Sequence, residues 1–454
     1  MFNGDCIIDA VCQNKLDYFQ ISKFYLLLQE NQIPITSHKF IYYGWIILIA
    51  SLIIGAISFG LRYSFGIFFN SLEAEFNLSR TAVSALFSIY MLLCGALSIL
   101  GGWMLDKYGP RKVAFVMGIF TGLSLLLSSQ VNAFWQLYFT YSLLMAVGTG
   151  AIFPVVNSTT SRWFKKRRGL AIGITSSAGA LGEMFAAPVA TILLISFDWR
   201  MSFIILGFAA LIFLLPLTLL MKKDPRDIGL LPDGVRPETG LEILPNNNTI
   251  MGEEGLTLSQ AIRVREFWFL TFIWLLLSIS IHMIMTHVVP HAIDLGISPI
   301  NAAFIVSLIG IGGVIGRVVT GRLSDIIGRK KPAMIGSIIQ IICLISLIFI
   351  HDLWMFYVFA FFFGYAWGEL GSQVTVLVSD IFGVRNVGVI MGTITAGWAL
   401  GAAIGPTAAG LAFDFTGQYT VSFVFAAIGM IISTILVIIL RTGKAYGRKQ
   451  EING

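Results

Sequence analysis

Four ionisable side chains, Arg62, Glu183, Arg317 and Glu369, stand inside long apolar stretches of this 454-residue chain. A guanidinium in such a stretch is costly unless it faces a protein interior or a watery cavity. There its planar fork is shaped to capture a carboxylate through two parallel hydrogen bonds. Arg317 is therefore the first candidate to hold an anion; the competing reading has its side chain snorkelling to a span boundary about five residues away. Arg62 is the second cation, able to share a dicarboxylate with Arg317, to pair with an acid, or to snorkel to the nearer interface. Desolvation favours the neutral form of a carboxyl group, and a neighbouring arginine favours the charged form. Glu183 and Glu369 are accordingly candidates to load and release a proton, or to remain paired with an arginine.

Histidines supply a third group. His282, His287 and His291 follow one another with Asp294 beyond. Residues 287, 291 and 294 share a helical face at a spacing that superficially suits a metal ion. They fall toward the outer end of their stretch, where hydrogen-bonded or solvated histidines are the ordinary expectation, so no metal or other cofactor is assigned. His282 and His287 stay candidates for gating or proton movement, because imidazole titrates near neutrality.

The elements that carry these residues follow from composition. Hydrophobic residues make up 56% of the chain and charged residues only 12%, against about 25% charged in soluble domains. Apolar runs of about 20 residues recur, each long enough to cross a hydrocarbon layer. Inside lipid the backbone must satisfy its own hydrogen bonds, which makes these runs helices. Spans are predicted at about 43–70, 80–105, 113–130, 133–160, 168–196, 200–221, 266–293, 299–322, 332–350, 353–380, 386–413 and 419–440. The expected fold class is an all-α membrane protein with twelve transmembrane helices arranged as two pseudo-symmetric six-helix bundles. Residues 1–41 and 442–454 then form cytoplasmic tails, 42–221 and 266–441 the two bundles, and 222–265 a cytoplasmic linker. The segment 1–41 lacks the basic start, long apolar core and cleavage site of a signal peptide.

A net charge of +6 invites a nucleic-acid reading, but the positions of the charges decide otherwise. Of the 30 lysines and arginines, 26 fall in segments on one side of the predicted spans; the others are Arg80 and Arg200 in outer loops and Arg62 and Arg317 within spans. This is the positive-inside pattern, and it predicts cytoplasmic termini. The partners expected are therefore a lipid bilayer, a small organic anion and protons, with no nucleic acid. The four cysteines, Cys6, Cys12, Cys94 and Cys343, have no metal or redox spacing.

The two halves repeat. Asp106 pairs with Asp325 and Gly109 with Gly328 at an offset of 219 residues, and Gly169 pairs with Gly388 at the same offset. Duplicated bundles of this kind hold their substrate path at the interface between repeats. The repeated loop reads Gly102, Asp106, Gly109, Arg111 in its first copy, and its second runs from Arg322 to Lys331 through Asp325, Gly328 and Arg329. Small residues let helices approach, and an Asp at a helix end accepts from a nearby backbone or arginine donor, so the loop is a candidate conformational latch.

This GxxxDxxGxR loop resembles the signature of the major facilitator superfamily. Tyr43-Gly44-Trp45, Tyr63-Ser64-Phe65-Gly66-Ile67-Phe68-Phe69, Ser79-Arg80, Val83-Ser84 and Gly312-xxx-Gly316-Arg317 resemble the bacterial branch of monocarboxylate transporters and oxalate–formate antiporters. The resemblance covers residues 42 to 440 and implies that Arg317 binds the substrate carboxylate. It also points to Tyr63, which stands where animal monocarboxylate carriers have a lysine. Two departures matter. Gly313 stands where those carriers have an Asp, and Ala396-Gly397-Trp398 occupies the region where oxalate carriers have a lysine, which argues against oxalate exchange. If protons are coupled, Glu369 or Glu183 must carry them.

The expectation is a secondary transporter of a small organic anion, foremost a monocarboxylate, coupled to protons by alternating access in a bacterial inner membrane. The rivals are an exporter or exchanger of another anion or amphipathic metabolite, and a membrane sensor that binds without transporting. No GxxxxGK[ST] loop occurs, which argues against ATP-driven transport by this chain alone. No nucleophile–base pair stands inside a span, so an enzyme is not expected.

Overall fold

The computed structural model describes residues 42–164, 168–230, 232–234, 255–327, 330–383 and 387–440. The predicted tails and most of the predicted linker lie outside them. Twelve long helices carry the architecture. In the first half these are α1 (Tyr43–Phe76), α2 (Arg80–Tyr108), α3 (Pro110–Ser128), α4 (Phe134–Trp163), α5 (Arg168–Ser176 running into Ala178–Ser196) and α6 (Trp199–Leu220). In the second half they are α7 (Arg265–Asp294), α8 (Pro299–Ile327), α9 (Lys330–Ser346), α10 (Leu353–Phe382), α11 (Val387–Thr416) and α12 (Thr420–Ile439). Eleven are long and apolar enough to cross a membrane; α9, with 17 residues, is the shortest.

Local chemistry sets the helix ends. Ser79 caps α2 by accepting from the Ala82 N–H at 3.3 Å, and Asp198 caps α6 by accepting from Met201 at 2.7 Å. Between α2 and α3 the chain turns at Gly109, with φ +82° and ψ 164°, a region open essentially to glycine alone. Pro110 then opens α3, where its missing N–H costs nothing. This explains the glycine of the predicted latch in its first copy. The side chains of Asp106 and Asp325, and Gly328 and Arg329 altogether, lie outside the described residues, so the latch itself does.

Each half packs as a bundle. In the first, α1 lies against α5 and α4, and α3 against α6; in the second, α8 lies against α10, α7 against α11 and α12, and α9 against α10 and α12. The tightest helix pair is α8 with α10. A Cβ added to Gly312 or Gly316 would strike the carbonyl of Phe361 or Tyr365, and one added to Gly364 or Gly368 would strike the carbonyl of Ile309 or Gly313. Two glycine pairs thus face each other backbone to backbone, the small-residue packing expected between helices in lipid. On α11, Gly397, Gly401 and Gly405 likewise press on the α7 backbone at Thr271, Leu275 and Ile279.

Gly316→Leu is therefore expected to lower the melting temperature of the detergent-solubilised protein, at an overpacking cost of about 1–3 kcal/mol. Gly392→Leu, on a face with nothing within 4 Å, is expected to leave it nearly unchanged. Circular-dichroism melts of the two variants against the parent check this.

Candidate functional site: a charged seam between two helix bundles

The halves meet along α2 with α11, α5 with α8, and the second part of α1 with α7. Contacts begin at the end of the molecule that holds Arg80 and run inward. Gly410 packs on the Arg80 carbonyl, Thr407 donates to Ser88 at 2.8 Å, and Gly95 meets Ala399. On the other pair, Gly310 lies against the backbone of Ala180 and Met184.

Two turns further along each helix the same face is open. Residues i and i+7 share a helix face. Seven residues beyond Gly95, Ala399 and Ala180 come Gly102, Gly392 and Gly173, and none has an atom within 4 Å of an added Cβ. Seven residues beyond Gly310 comes Arg317. Among the described residues the seam is thus shut at the Arg80 end and parts toward the end that carries most of the basic residues.

At the shut end Arg80 is the centre. Its guanidinium forks onto Asp294 at 2.6 and 2.8 Å, reaches Glu73 at 3.3 Å and donates to the Tyr419 hydroxyl at 2.7 Å. The Phe413 ring lies 3.9 Å away. Asp414, at the end of α11, accepts from the Arg80 and Thr81 N–H groups at 3.0 and 2.9 Å. A carboxylate from one bundle therefore caps the first turn of a 29-residue helix in the other.

His287 completes this end. Its Nε2 lies 2.9 Å from the Pro406 carbonyl, which can only accept, so Nε2 carries the proton. Nδ1 then accepts from the Tyr419 hydroxyl at 3.0 Å, and that hydroxyl accepts from Arg80. Burial pushes the Tyr419 phenol above its ordinary range while Arg80 opposes the shift, so it stays a hydroxyl donor.

Where the seam parts, the remaining candidates gather. Arg62 donates through Nε to Tyr90 at 2.8 Å, and through Nη2 to the Thr149 carbonyl at 3.2 Å and toward Cys94 at 3.8 Å. That carbonyl is available because α4 is interrupted after Thr149, at Gly150–Ala151. Tyr63 ends the first part of α1, where the helix breaks at Ser64. Glu183 follows Gly182, which packs on Gly60 of α1. Both its carboxylate oxygens are buried without a hydrogen-bond partner among the described residues.

Arg317 follows Gly316, so the glycine contact between α8 and α10 fixes its position. It makes no hydrogen bond to a described residue, and Nη1 is buried. Its guanidinium lies 5.2 Å from the Trp367 ring, with Glu183 and Tyr63 as its electrostatic neighbours across the seam. His282 adjoins this group through Tyr63, at 6.1 Å between ring centres.

Arg317, Tyr63, Glu183, Arg62 and His282 are thus brought together. Glu369 is not: it lies against α9, its carboxylate beside Gly336. His287 belongs to the shut end. Among the described residues no cluster of three metal-ligating side chains occurs, so His287, His291 and Asp294 do not form one. Sequence reasoning missed the roles of Arg80, Asp294, Asp414 and Tyr419. The available signal was their position at helix ends on one side, next to the quoted Ser79-Arg80 pair.

Two six-helix bundles, meeting at a seam with unpaired charge at its middle and a polar closure at one end, define a membrane transporter. Sequence comparison agrees: the profile of the Major Facilitator Superfamily matches residues 51–374 and 288–453. The chain belongs to the major facilitator superfamily. Similar proteins include monocarboxylate transporter 13 of Bos taurus, 26% identical over 393 residues and covering 85% of this chain and 86% of that one. Human monocarboxylate transporter 11 is 25% identical over 399 residues, covering 85% and 80%. The MFS-type transporter YhjX of Escherichia coli is 26% identical over 365 residues, covering 79% and 85%. Among solved structures, a bacterial homolog of the human lysosomal transporter Spinster, in an inward-facing and occupied conformation, matches with a TM-score of 0.67. At 17% identity it covers 88% of this chain and 97% of that one, a likeness of fold.

If the Arg80 cluster holds the seam shut, removing one charge without changing shape should release it. In Asp294→Asn, spin labels at Ala74→Cys and Gln418→Cys are expected to show a longer-distance population that is minor in the parent. An unchanged distance distribution would assign the closure to apolar packing instead.

Proposed function

We propose that this chain carries a small monocarboxylate across a bacterial inner membrane together with a proton. The observation that carries the reading is the guanidinium of Arg317 at the middle of the seam, its Nη1 buried without a hydrogen-bond partner among the described residues. A permanent cation in such surroundings calls for an anion. Its position beside the open half of the seam lets a solute reach it from one side only, as alternating access requires. The similarity to monocarboxylate transporters supports a carboxylate as that anion.

Glu183 is the proton carrier in this reading. Its two oxygens have no donor among the described residues, and Arg317 is its electrostatic neighbour. With a substrate carboxylate on Arg317, an ionised Glu183 would face a second anion, and protonation removes that repulsion. Proton and anion then bind in support of each other. Glu369, turned to α9, is given no part in this step; His287 would act in closing the outer seam, and the Asp106 and Asp325 loops in latching the inner one. Tails 1–41 and 442–454 and linker 222–265 are assigned to the cytoplasm by their basic charge. Arg62 and Arg317 both stand within electrostatic reach of Tyr63, which favours a second reading, a substrate with two acidic groups exchanged for another anion.

Uptake of labelled lactate, pyruvate, acetate and formate into proteoliposomes tests the proposal. An inward proton gradient is expected to drive uptake in the parent protein. Arg317→Ala is expected to abolish it, while Glu183→Gln retains exchange of labelled for unlabelled acid but loses its response to the gradient. No uptake of any of the four by folded protein would end the monocarboxylate reading, and counterflow with dicarboxylates would then test the second.

A further inference from the structure

The exposed face of α2 changes character toward the basic end of the molecule. Ile89, Leu92, Ala96, Leu100 and Trp103 follow at three- and four-residue steps, and all are exposed, so they form one apolar stripe along the helix. From Ile89 to Trp103 it runs about 21 Å, more than the roughly 15 Å of hydrocarbon in one leaflet. Four residues beyond Trp103 the same stripe ends on Lys107, which is also exposed.

Aromatic rings hold Lys107 in place. Its ammonium lies 4.8 Å from the centre of the Trp103 ring and 5.2 Å from that of Tyr108. The two rings meet edge to face at 6.3 Å and are 56% and 46% exposed. Contacts of this kind fix a cation without neutralising it. Past the Gly109 turn, Arg111 and Lys112 are exposed on the first turn of α3, and the Lys223 side chain comes within 3.9 Å of a Cβ built on Gly109. None of the ion pairs among the described residues involves Lys107, Arg111 or Lys112. Asp224 and Asp227, just after Lys223, accept from backbone N–H groups of their own turn.

The internal repeat shows that the fold alone does not require this arrangement. At the 219-residue offset, Trp103, Lys107 and Tyr108 correspond to Arg322, Ile326 and Ile327, which supply neither the rings nor the lysine. Arg111 corresponds to Lys330, whose ammonium donates to the Ile438 and Leu440 carbonyls at 2.5 and 3.1 Å. The second bundle spends that cation on the end of its own last helix. The first bundle presents its cations outward.

We infer that the end of α2 and the α2–α3 turn bind an acidic phospholipid, with an acyl chain along the α2 stripe and the phosphate on Lys107, Arg111 and Lys112. The inference is independent of what the central site carries. Basic residues beside a membrane attract acidic lipids, and a tryptophan and a tyrosine suit the level of the headgroups. A zwitterionic lipid brings its own ammonium to the same place and gains less from three cations. A free phosphate ester lacks the chain that follows the stripe.

Quenching of tryptophan fluorescence by brominated lipids tests this on the full-length protein in phosphatidylcholine vesicles. The chain has 10 tryptophans, so the signal read is the difference between each protein and its Trp103→Phe counterpart. In the parent, brominated phosphatidylglycerol is expected to quench that signal more strongly than equal amounts of brominated phosphatidylcholine or phosphatidylethanolamine. Lys107→Gln is expected to lower the preference about 5-fold, the worth of one interfacial lysine, and Lys107→Arg to keep it. Native mass spectra of the parent in detergent should retain phosphatidylglycerol at collision energies that strip phosphatidylethanolamine, whether or not the variants fold. Equal quenching by the three lipids, equal retention of the two, or a preference that survives in Lys107→Gln would overturn the inference. Displacement of the brominated lipid by glycerol 3-phosphate would also overturn it and give the cations to a soluble phosphate ester.

Discussion

A permanent positive charge in a low-dielectric seam sets the terms for everything around it. Arg317 cannot shed its proton, and its Nη1 is buried without a partner among the described residues. The fold accommodates that charge by position. The α8–α10 glycine contact holds the side chain where the seam stops being closed. Glu183 and Tyr63 approach from the other bundle. The charge is thus shared between the two bundles. An arginine placed wholly inside one bundle would be a structural group. Arg62 shows the contrast, since Tyr90 and Thr149 of its own bundle hold it in place.

The seam divides into two kinds of contact. Helix pairs within a bundle are cemented by glycine against backbone, which no solvent can replace and which leaves no slack. Between bundles glycine also meets backbone, at Gly410 and Gly310, and a polar closure sits at one end. Arg80, Asp294, Asp414, Tyr419 and His287 form a connected chain of donors and acceptors in which each hydrogen has a defined destination. Rigid bodies joined by a separable edge are what a rocking motion needs.

Much of this was legible in the sequence, and the limit has a physical cause. Apolar runs and the alternation of basic charge predict twelve helices with ends within a few residues of those found, because a lipid layer imposes one length on every span. The closest glycine packing is likewise written in Gly312-xxx-Gly316. Arg317 stands out because an arginine in an apolar run is rare enough to need a reason. Glu183 and Glu369, by contrast, look alike in sequence, each an acid inside a span. Only the packing of Gly336 against one and of Gly182 on α1 beside the other separates them. Arg80 and Asp414 are 334 positions apart, and nothing local in either segment announces that one caps the helix of the other.

That cap has a thermodynamic meaning. Asp414, Asp294 and Tyr419 give Arg80 and the first turn of α2 the partners that water would otherwise supply. Were the edge to open at the membrane surface, solvent would take over each of these bonds nearly one for one, and Ser79 would still hold the turn from within its own segment. The exchange of protein for water partners is close to even. An edge built from such bonds seals against leakage while adding little to the free-energy difference between shut and open forms. In the proposed transport cycle such an edge would keep the two forms near in energy, so that binding of a single small solute would suffice to tip the balance.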